Sequence, residues 1–180
     1  MGAKPRKSKK QSNTNDEYKR QLKRTTFFLD RSLIGKLIPE ELRKHGVKVE
    51  PHSIWFRHNT PDENWLAVVG EKKWVVLTGD INIGRRPLEL DALLTAKVKA
   101  FVIAKPQVLT ALQQAQLIIK ALPQILEMLQ EYRIPFLAKI HDDGSVALWR
   151  TDVQYEPSQS RKKRYRPPKG YEYKRKHFRR

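Results

Sequence analysis

Short apolar runs alternate with helix-like segments through the middle of this chain, and the alternation restricts the folds open to it. The strand-like runs cover residues 25–29, 47–50, 74–78 and 100–104. The helix-like segments cover residues 33–45, 60–70 and the stretch that begins at Pro87. Each apolar run is too short for a buried helix, and strands that alternate with helices form a parallel sheet with helices on both faces.

The last part of this body predicts one more helix and a hairpin. Residues 107–131 have helical spacing, and Pro123 is expected to bend or split that helix. Runs at 136–140 and 146–149 flank Asp142-Asp143-Gly144, a hairpin signal. Residues 53–56 are expected to be extended. The pattern therefore predicts an α/β fold with a parallel sheet, helices on both of its faces and a C-terminal hairpin.

Positive charge is concentrated at the two ends of the chain. The net charge is +18, of which residues 1–26 carry +7 and residues 157–180 carry +10. The nearly neutral body between them has the composition of a packed domain. We therefore predict a basic flexible N-terminal arm at 1–24, a folded domain at 25–152 and a basic, aromatic-containing disordered tail at 153–180.

Cationic arms of this kind bind polyanions by releasing counterions, and aromatic rings among the charges can stack on unpaired bases. RNA, DNA or an acidic protein would satisfy the charge, and solvated tails that aid solubility are the plain alternative. The candidate nucleic-acid-binding residues are Arg161, Lys162, Lys163, Arg164, Tyr165, Arg166, Lys174, Arg175 and Lys176, with Arg85 and Arg86 in the body.

Composition excludes several classes of protein. The chain has no cysteine, so disulfides and thiolate metal sites are unavailable, which suits a reducing cytoplasm. No apolar run approaches the roughly 20 residues that a membrane helix needs. We expect a soluble, cytoplasmic protein without a membrane partner.

Two acids follow directly from strand-like runs. Asp30 ends the first run and Asp80 follows the run at 74–78. Functional crevices in parallel α/β sheets lie beyond the carboxyl ends of the strands, so both carboxylates should point to one edge. Like charges brought together there repel each other unless a cation lies between them, and a hard divalent ion with oxygen ligands fits that need.

Further acids stand at predicted helix starts. Thr60 and Glu63 have capping-box spacing, which gives Glu63 a structural role and favours Asp62 as the acid that faces the crevice. Glu89 begins the helix after Asp80, where it either joins the site or favours the positive end of that helix. Each acid taken alone also has an ordinary capping or turn role.

The ordered set of motifs resembles the PIN-like nucleases, and it is most similar to the branch that contains VapC-type toxins. The motifs are Phe28-Leu29-Asp30-Arg31, Thr60-Pro61-Asp62-Glu63-Asn64-Trp65, Val76-Leu77-Thr78-Gly79-Asp80 and Arg86-Pro87-Leu88-Glu89. The resemblance covers about residues 25–150 and leaves both charged ends outside it. It implies a PIN-like (Rossmann-like) three-layer α/β/α fold with a mostly parallel central sheet. It also implies three or four clustered acids that hold Mg²⁺ or Mn²⁺.

The resemblance also implies a metal-dependent endoribonuclease that cuts single-stranded RNA. By motif, Asp30, Asp62 and Asp80 match the metal ligands, Glu63 is the neighbour that competes with Asp62, and Glu89 is a fourth catalytic acid. An antitoxin protein and a homo-oligomer stay open as partners. The alternatives are a catalytically inactive PIN-like module that binds RNA or ribonucleoprotein, and a structure-specific DNA nuclease.

Overall fold

The computed structural model of the protein describes residues 9–33, 35–133 and 135–151. Its helices are α1 (Lys9–Arg24), α2 (Leu37–Lys44), α3 (His52–Trp55), α4 (Asp62–Glu71), α5 (Pro87–Thr95) and α6 (Ala111–Glu131). Its strands are β1 (Thr26–Leu29), β2 (Lys48–Pro51), β3 (Val75–Thr78), β4 (Lys99–Ile103), β5 (Phe136–Ile140) and β6 (Val146–Thr151). Short 3-10 turns cover Ile81–Gly84 and Pro106–Val108.

The strands form one mostly parallel sheet, as the alternating pattern predicts. Their order is β2-β1-β3-β4-β5-β6, and only β6 runs antiparallel, paired with β5 across the expected hairpin. After β1 the chain continues to β2, its neighbour on one side, and after β3 it continues to β4, its neighbour on the opposite side. In this topology a crevice opens between β1 and β3 at the ends of those strands.

Helices cover both faces of the sheet and give three layers. Residues of α1, α2 and α6 pack with Phe27 and Leu29, while residues of α3, α4 and α5 pack with Phe28 on the opposite face. The Phe28 ring stacks on Trp65 at a centroid distance of 5.2 Å and is itself fully buried. Each large side chain buried in this way contributes roughly 1.5–3 kcal/mol, so the two cores hold the sheet firmly.

The crossover from β4 to β5 through α6 has the opposite handedness to the crossover from β3 to β4 through α5. The β3–β4 and β4–β5 connections run in the same direction across the sheet, but α5 covers one face and α6 the other. Right-handed crossovers are strongly preferred, so no sequence pattern predicts this feature. This crossover places α6 beside α2 on one face of the sheet.

Helix α1 differs from the expected flexible arm. Residues 9–24 are helical, and Leu22 is buried in the core with Tyr18 packed against it. These two apolar residues lie one helical turn apart, which lets an otherwise charged segment dock. Residues 1–8 lie outside the described part of the chain.

Two further elements differ in extent from the expected ones. Residues 53–56 belong largely to helix α3 rather than to an extended run. Helix α6 begins at Ala111, after a capping box between Thr110 and Gln113, and it continues through Pro123. Exposed Pro123 is tolerated because buried Leu122 and its neighbours fix the helix against the sheet.

Within the described residues, no helix is both long and apolar enough to cross a membrane.

Candidate active site

The acids predicted at strand ends lie at one edge of the sheet, which we call the carboxyl edge because the parallel strands end there. Asp30 follows β1 and Asp80 follows the adjacent strand β3. The Asp30 backbone N–H donates to the Leu77 carbonyl at 3.0 Å, so the β1–β3 pairing continues up to Asp30. The placement inferred from the strand pattern is confirmed for both residues.

Asp30 is held by two hydroxyls. Its side chain is buried, and Oδ2 accepts hydrogen bonds from Ser32 Oγ at 2.6 Å and Thr78 Oγ1 at 2.8 Å. Thr78 Oγ1 also accepts the Asp80 backbone N–H at 2.9 Å. Thr78 therefore links the two strand-end acids and fixes the Asp30 carboxylate.

Arg31 joins the end of β1 to the start of α4. Its guanidinium donates to the carbonyls of His58 and Thr60, at 3.2 and 2.7 Å. It also donates to Asp62 Oδ1 at 2.6 Å, and Trp65 Nε1 donates to the same oxygen at 2.9 Å. Asp62 thus lies on the buried side of α4 and faces the sheet, as its spacing predicts. Its carboxylate is already paired with the guanidinium of Arg31.

The expected capping box at the start of α4 is absent. The helix begins at Asp62, Pro61 is its N-cap, and no side chain caps it. Thr60 is buried, and its carbonyl accepts from Arg31, so this segment is oriented by Arg31 rather than by Glu63. Glu63 is exposed.

Asp80 and Glu89 meet at Arg86. Asp80 Oδ1 accepts the Asn82 N–H at 2.9 Å and so caps the 3-10 turn Ile81–Gly84. Arg86 Nη1 lies 2.8 Å from Glu89 Oε1 and 3.8 Å from Asp80 Oδ2. The Glu89 hydrogen bond and charge raise the pKa of Arg86, and Asp80 and Asp62 raise it further. Two carboxylates therefore lie against one guanidinium, and exposed Arg85 is its neighbour in the chain.

One oxygen of this cluster has no partner. Glu89 Oε2 is buried and accepts no hydrogen bond from any described residue. A buried carboxylate oxygen without a donor is costly, because its lost hydration is not replaced. The arrangement favours a ligand or cation near Glu89.

As the side chains stand, no three carboxylate or imidazole groups of the described residues come together in a way that could hold a metal ion. Positive charge between the acids comes instead from arginine: Arg31 pairs with Asp62, and Arg86 bridges Asp80 and Glu89. The predicted set Asp30, Asp62 and Asp80 shares one edge but is divided between these contacts.

Three residues that shape the site have no role in the sequence-based prediction. Arg31 and Ser32 adjoin Asp30 in the chain, and Thr78 is a fully buried polar residue at the end of an apolar strand. That last feature is a usable signal, because a buried hydroxyl needs a partner. The reach of Arg31 to Asp62 depends on tertiary packing and has no local signature.

His52 is a packing residue in the core beside the site. It is 2% exposed, between the rings of Phe28, Phe56 and Trp65. Burial lowers the pKa of His52 to about 4, although the charge of Asp30 opposes the shift.

The C-terminal candidates for nucleic-acid binding lie outside the described residues. They are Arg161, Lys162, Lys163, Arg164, Tyr165, Arg166, Lys174, Arg175 and Lys176.

Comparison with known proteins adds one finding. Residues 25–105 match the family model described as PIN like domain. No significant match was found among curated proteins or among solved structures. The matched residues contain Asp30, Asp62, Asp80 and Glu89, and the match does not select the VapC-type branch. Together with the three-layer fold and its mostly parallel sheet, this match supports a PIN-like domain in this chain.

Proposed function

We propose that this protein is a cytoplasmic, metal-dependent endoribonuclease that cuts single-stranded RNA at the carboxyl edge. The observation that supports it most is the pair Asp80 and Glu89 against Arg86, in which Glu89 Oε2 is buried without a partner among the described residues. PIN-like domains are commonly nucleases, and the match covers all four acids.

The donors in the cluster fit a divalent cation. They are carboxylate oxygens, which Mg²⁺ and Mn²⁺ prefer. Asp80 and Glu89 would hold the ion once Arg86 has moved away, and Asp30 and Asp62 at the same edge would complete the ligand set after a similar rearrangement. A bound ion of this kind lowers the pKa of a coordinated water and offsets negative charge on phosphoryl oxygens.

The chain's own residues prepare the site for a phosphodiester. Thr78 and Ser32 fix the Asp30 carboxylate, and Arg31 holds the Asp62 carboxylate at the start of α4. Arg85 and Arg86 are exposed at the mouth of the cluster, where their guanidinium groups can bind phosphate oxygens. Binding of substrate phosphate by Arg86 would release Asp80 and Glu89 for a cation.

Cleavage of labelled single-stranded RNA in Mg²⁺ or Mn²⁺ tests this proposal. Asp80→Asn should lower the rate by roughly a hundredfold or more, because it removes one carboxylate charge from the cluster. Asp142→Asn makes the same chemical change on the exposed hairpin turn and should leave the rate unchanged. Equal rates for Asp80→Asn and wild type would reject the assignment, and a parallel single-stranded DNA arm tests the choice of RNA.

A second candidate is an inactive PIN-like module that binds RNA. The observation in its favour is that Arg31 and Arg86 already occupy the places between the acids. Titration with Mn²⁺ followed by electron paramagnetic resonance separates the two. The nuclease should bind Mn²⁺ in a manner that Asp80→Asn weakens, whereas an inactive module should show no dependence on Asp80.

We further propose that residues 157–180 anchor RNA through their 11 lysines and arginines. Removing this segment should weaken RNA binding and flatten its dependence on salt, because fewer counterions are released. Mn²⁺ binding should persist. An unchanged salt slope would contradict the anchor role.

The toxin role extends the proposal, on the likeness to VapC-type proteins. Induced expression should then arrest growth of a bacterial host, and Asp80→Asn should relieve the arrest. Growth that is the same with both forms would count against a toxin and its antitoxin partner.

A further inference from the structure

The edge of the sheet opposite the acids, where the parallel strands begin, carries a cluster of cations; we call it the amino edge. Helices α2, α4 and α5 end there and pass directly into β2, β3 and β4. Six of the exposed cations in these junctions and at the neighbouring strand starts are Arg24, Lys48, Lys72, Lys73, Lys97 and Arg133. Exposed Arg43 and Lys44 also lie at the end of α2, where Lys44 pairs with Glu41. Two exposed acids, Glu71 and Glu131, share this edge.

None of these six cations forms an ion pair with another described residue. At the carboxyl edge, by contrast, Arg31, Arg86 and Lys105 each pair with a carboxylate. The amino edge therefore presents positive charge that the folded domain does not neutralise, and such charge attracts polyanions.

Two of the lysines stand in backbone conformations that lysine disfavours. Lys73 and Lys97 follow the ends of α4 and α5 with φ of 55° and 56°. Gly46 occupies the corresponding place after α2, with φ of 78°. Glycine adopts this left-handed conformation without strain, so the turn itself does not call for lysine. Strained residues retained at a surface point to a use for their side chains.

An aromatic surface adjoins these charges. Trp74 follows Lys73, is partly exposed, and lines a cavity of about 420 Å³ together with Arg43, Lys48 and Glu50. Lys72 Nζ lies 5.1 Å from the Trp74 ring centroid and 4.7 Å from that of Trp55. Trp74 stacks on Phe28, which fixes its plane. A fixed ring beside several cations suits an unpaired base and its phosphates.

The strand that leads into the basic C-terminal segment ends at this same edge of the sheet. Thr151, the last described residue, lies opposite Phe136, at the start of β5 and hence at the amino edge. The sequence after it contains the 11 lysines and arginines of residues 157–180. The tail therefore follows a strand that ends at the amino edge, three strands away from β3.

We propose that the amino edge is a second binding surface, separate from the carboxyl edge, that holds single-stranded RNA through Lys48, Lys73 and Lys97 and by stacking on Trp74. The choice of RNA as ligand rests on the proposed ribonuclease function; binding at this edge does not require cleavage. A strand held here and by the following tail is retained at the domain while the acids at the other edge are free to engage it.

The test uses the full chain in EDTA, where metal-dependent cleavage is silent, with a labelled single-stranded oligouridine. The amino-edge variant carries Lys48→Gln, Lys73→Gln and Lys97→Gln. The control carries Lys19→Gln, Lys36→Gln and Lys120→Gln, which change the net charge equally at exposed positions off this edge. We expect the amino-edge variant to bind about tenfold more weakly and its salt slope to fall by about 2, since each single-strand contact contributes about 0.7. The control should stay within about twofold.

Equal weakening in the two variants would overturn the proposal, because only net charge would then matter. Photo-cross-linking of the wild-type chain to thiouridine-labelled RNA gives an independent reading that does not depend on folding of a variant. Cross-links in the peptide containing Lys72, Lys73 and Trp74 support the surface, and their absence overturns it. Polyglutamate of equal length that competes as strongly as RNA would overturn the choice of RNA in favour of an acidic protein.

The Asp80→Asn variant separates this proposal from the previous one. It should bind RNA at the amino edge as wild type does, whether or not wild type cuts RNA. A loss of EDTA-insensitive binding in Asp80→Asn would assign that binding to the carboxyl edge and overturn the second surface.

Discussion

Arg31 has the widest reach of any side chain at the carboxyl edge. It follows Asp30 at the end of β1, yet all three of its hydrogen bonds go to the segment from His58 to Asp62. Only a planar guanidinium presents several donors in fixed directions, so lysine cannot reproduce the set. Arg31 therefore acts as the local positioning residue for Asp62.

We predict a graded loss of stability at this position. Arg31→Met should lower the free energy of unfolding by about 2 kcal/mol, because Asp62 keeps its charge in a mostly buried place. Arg31→Lys should cost roughly half as much. Urea denaturation measures both, with exposed Arg57→Met as the control. An Arg31→Met protein as stable as wild type would contradict this reading.

The buried imidazole of His52 predicts a pH effect. Its ordinary pKa is 6.5, and burial lowers the pKa to about 4 in the folded protein. Between these values the unfolded chain binds the extra proton, so the contribution is complete above pH about 6.5 and is lost as pH falls toward 4. The full effect is roughly 3 kcal/mol.

His52→Phe should remove this pH dependence. The ring would still pack on Phe28, Phe56 and Trp65, and the unpartnered Nε2 would be gone. Urea denaturation at pH 7 and pH 4.5 measures the difference. Exposed His141→Gln should retain the wild-type loss; a His52→Phe protein that also retained it would show that another group is responsible.

At the scale of elements, three helices are followed by a residue with the same left-handed backbone conformation, but the residue type differs. Helices α2, α4 and α5 each return to a strand through a left-handed residue, which is Gly46, Lys73 or Lys97. A non-glycine residue in this conformation costs about 1–2 kcal/mol, although glycine also loses more chain entropy on folding. At these turns the backbone conformation therefore favours glycine, whereas positive charge at the amino edge requires lysine.

Exchanging these residues should show that opposition. Lys73→Gly and Lys97→Gly should each raise the free energy of unfolding by about 0.5 kcal/mol, and Gly46→Lys should lower it by about 1 kcal/mol. Thermal or urea unfolding of the three variants makes the comparison. Marked destabilisation by Lys73→Gly would mean that its charge at the helix end outweighs the backbone strain.

The elements also show where sequence reasoning succeeds. Apolar runs ending in Asp30 and Asp80 predict strands β1 and β3 and the shared edge, because burial on both faces leaves a continuous apolar signal. The docking of α1 is not predictable in this way, since its charge hides the pair Tyr18 and Leu22. The role of Arg31 is missed for another reason: its partners lie far along the chain, and only the packing of α4 on the sheet brings them close.

At the scale of the whole molecule, the last strand supports the turn that begins with Asp80. Gly84 closes that turn beneath the Trp149 ring of β6 and the Leu137 side chain of β5. An added Cβ at Gly84 would overlap both side chains. The hairpin, which lies outside the family match, therefore packs directly on the candidate site.

Gly84→Ala should reveal this contact. The methyl group must displace Trp149 or the turn, and we expect a loss of about 2–3 kcal/mol in the free energy of unfolding. Combining Gly84→Ala with Trp149→Leu should cost less than the sum of the single changes, because the smaller side chain makes room. Additive losses would indicate that the two residues do not interact.

The packing of Trp149 over Gly84 has a consequence during synthesis. A chain made from its N-terminus exposes Asp30, Asp62, Asp80 and Glu89 well before β6 has left the ribosome. Until β6 has folded, the turn that begins with Asp80 lacks its packing contact with Trp149. The nuclease that we propose would therefore stay incomplete until the hairpin has left the ribosome and packed on this turn.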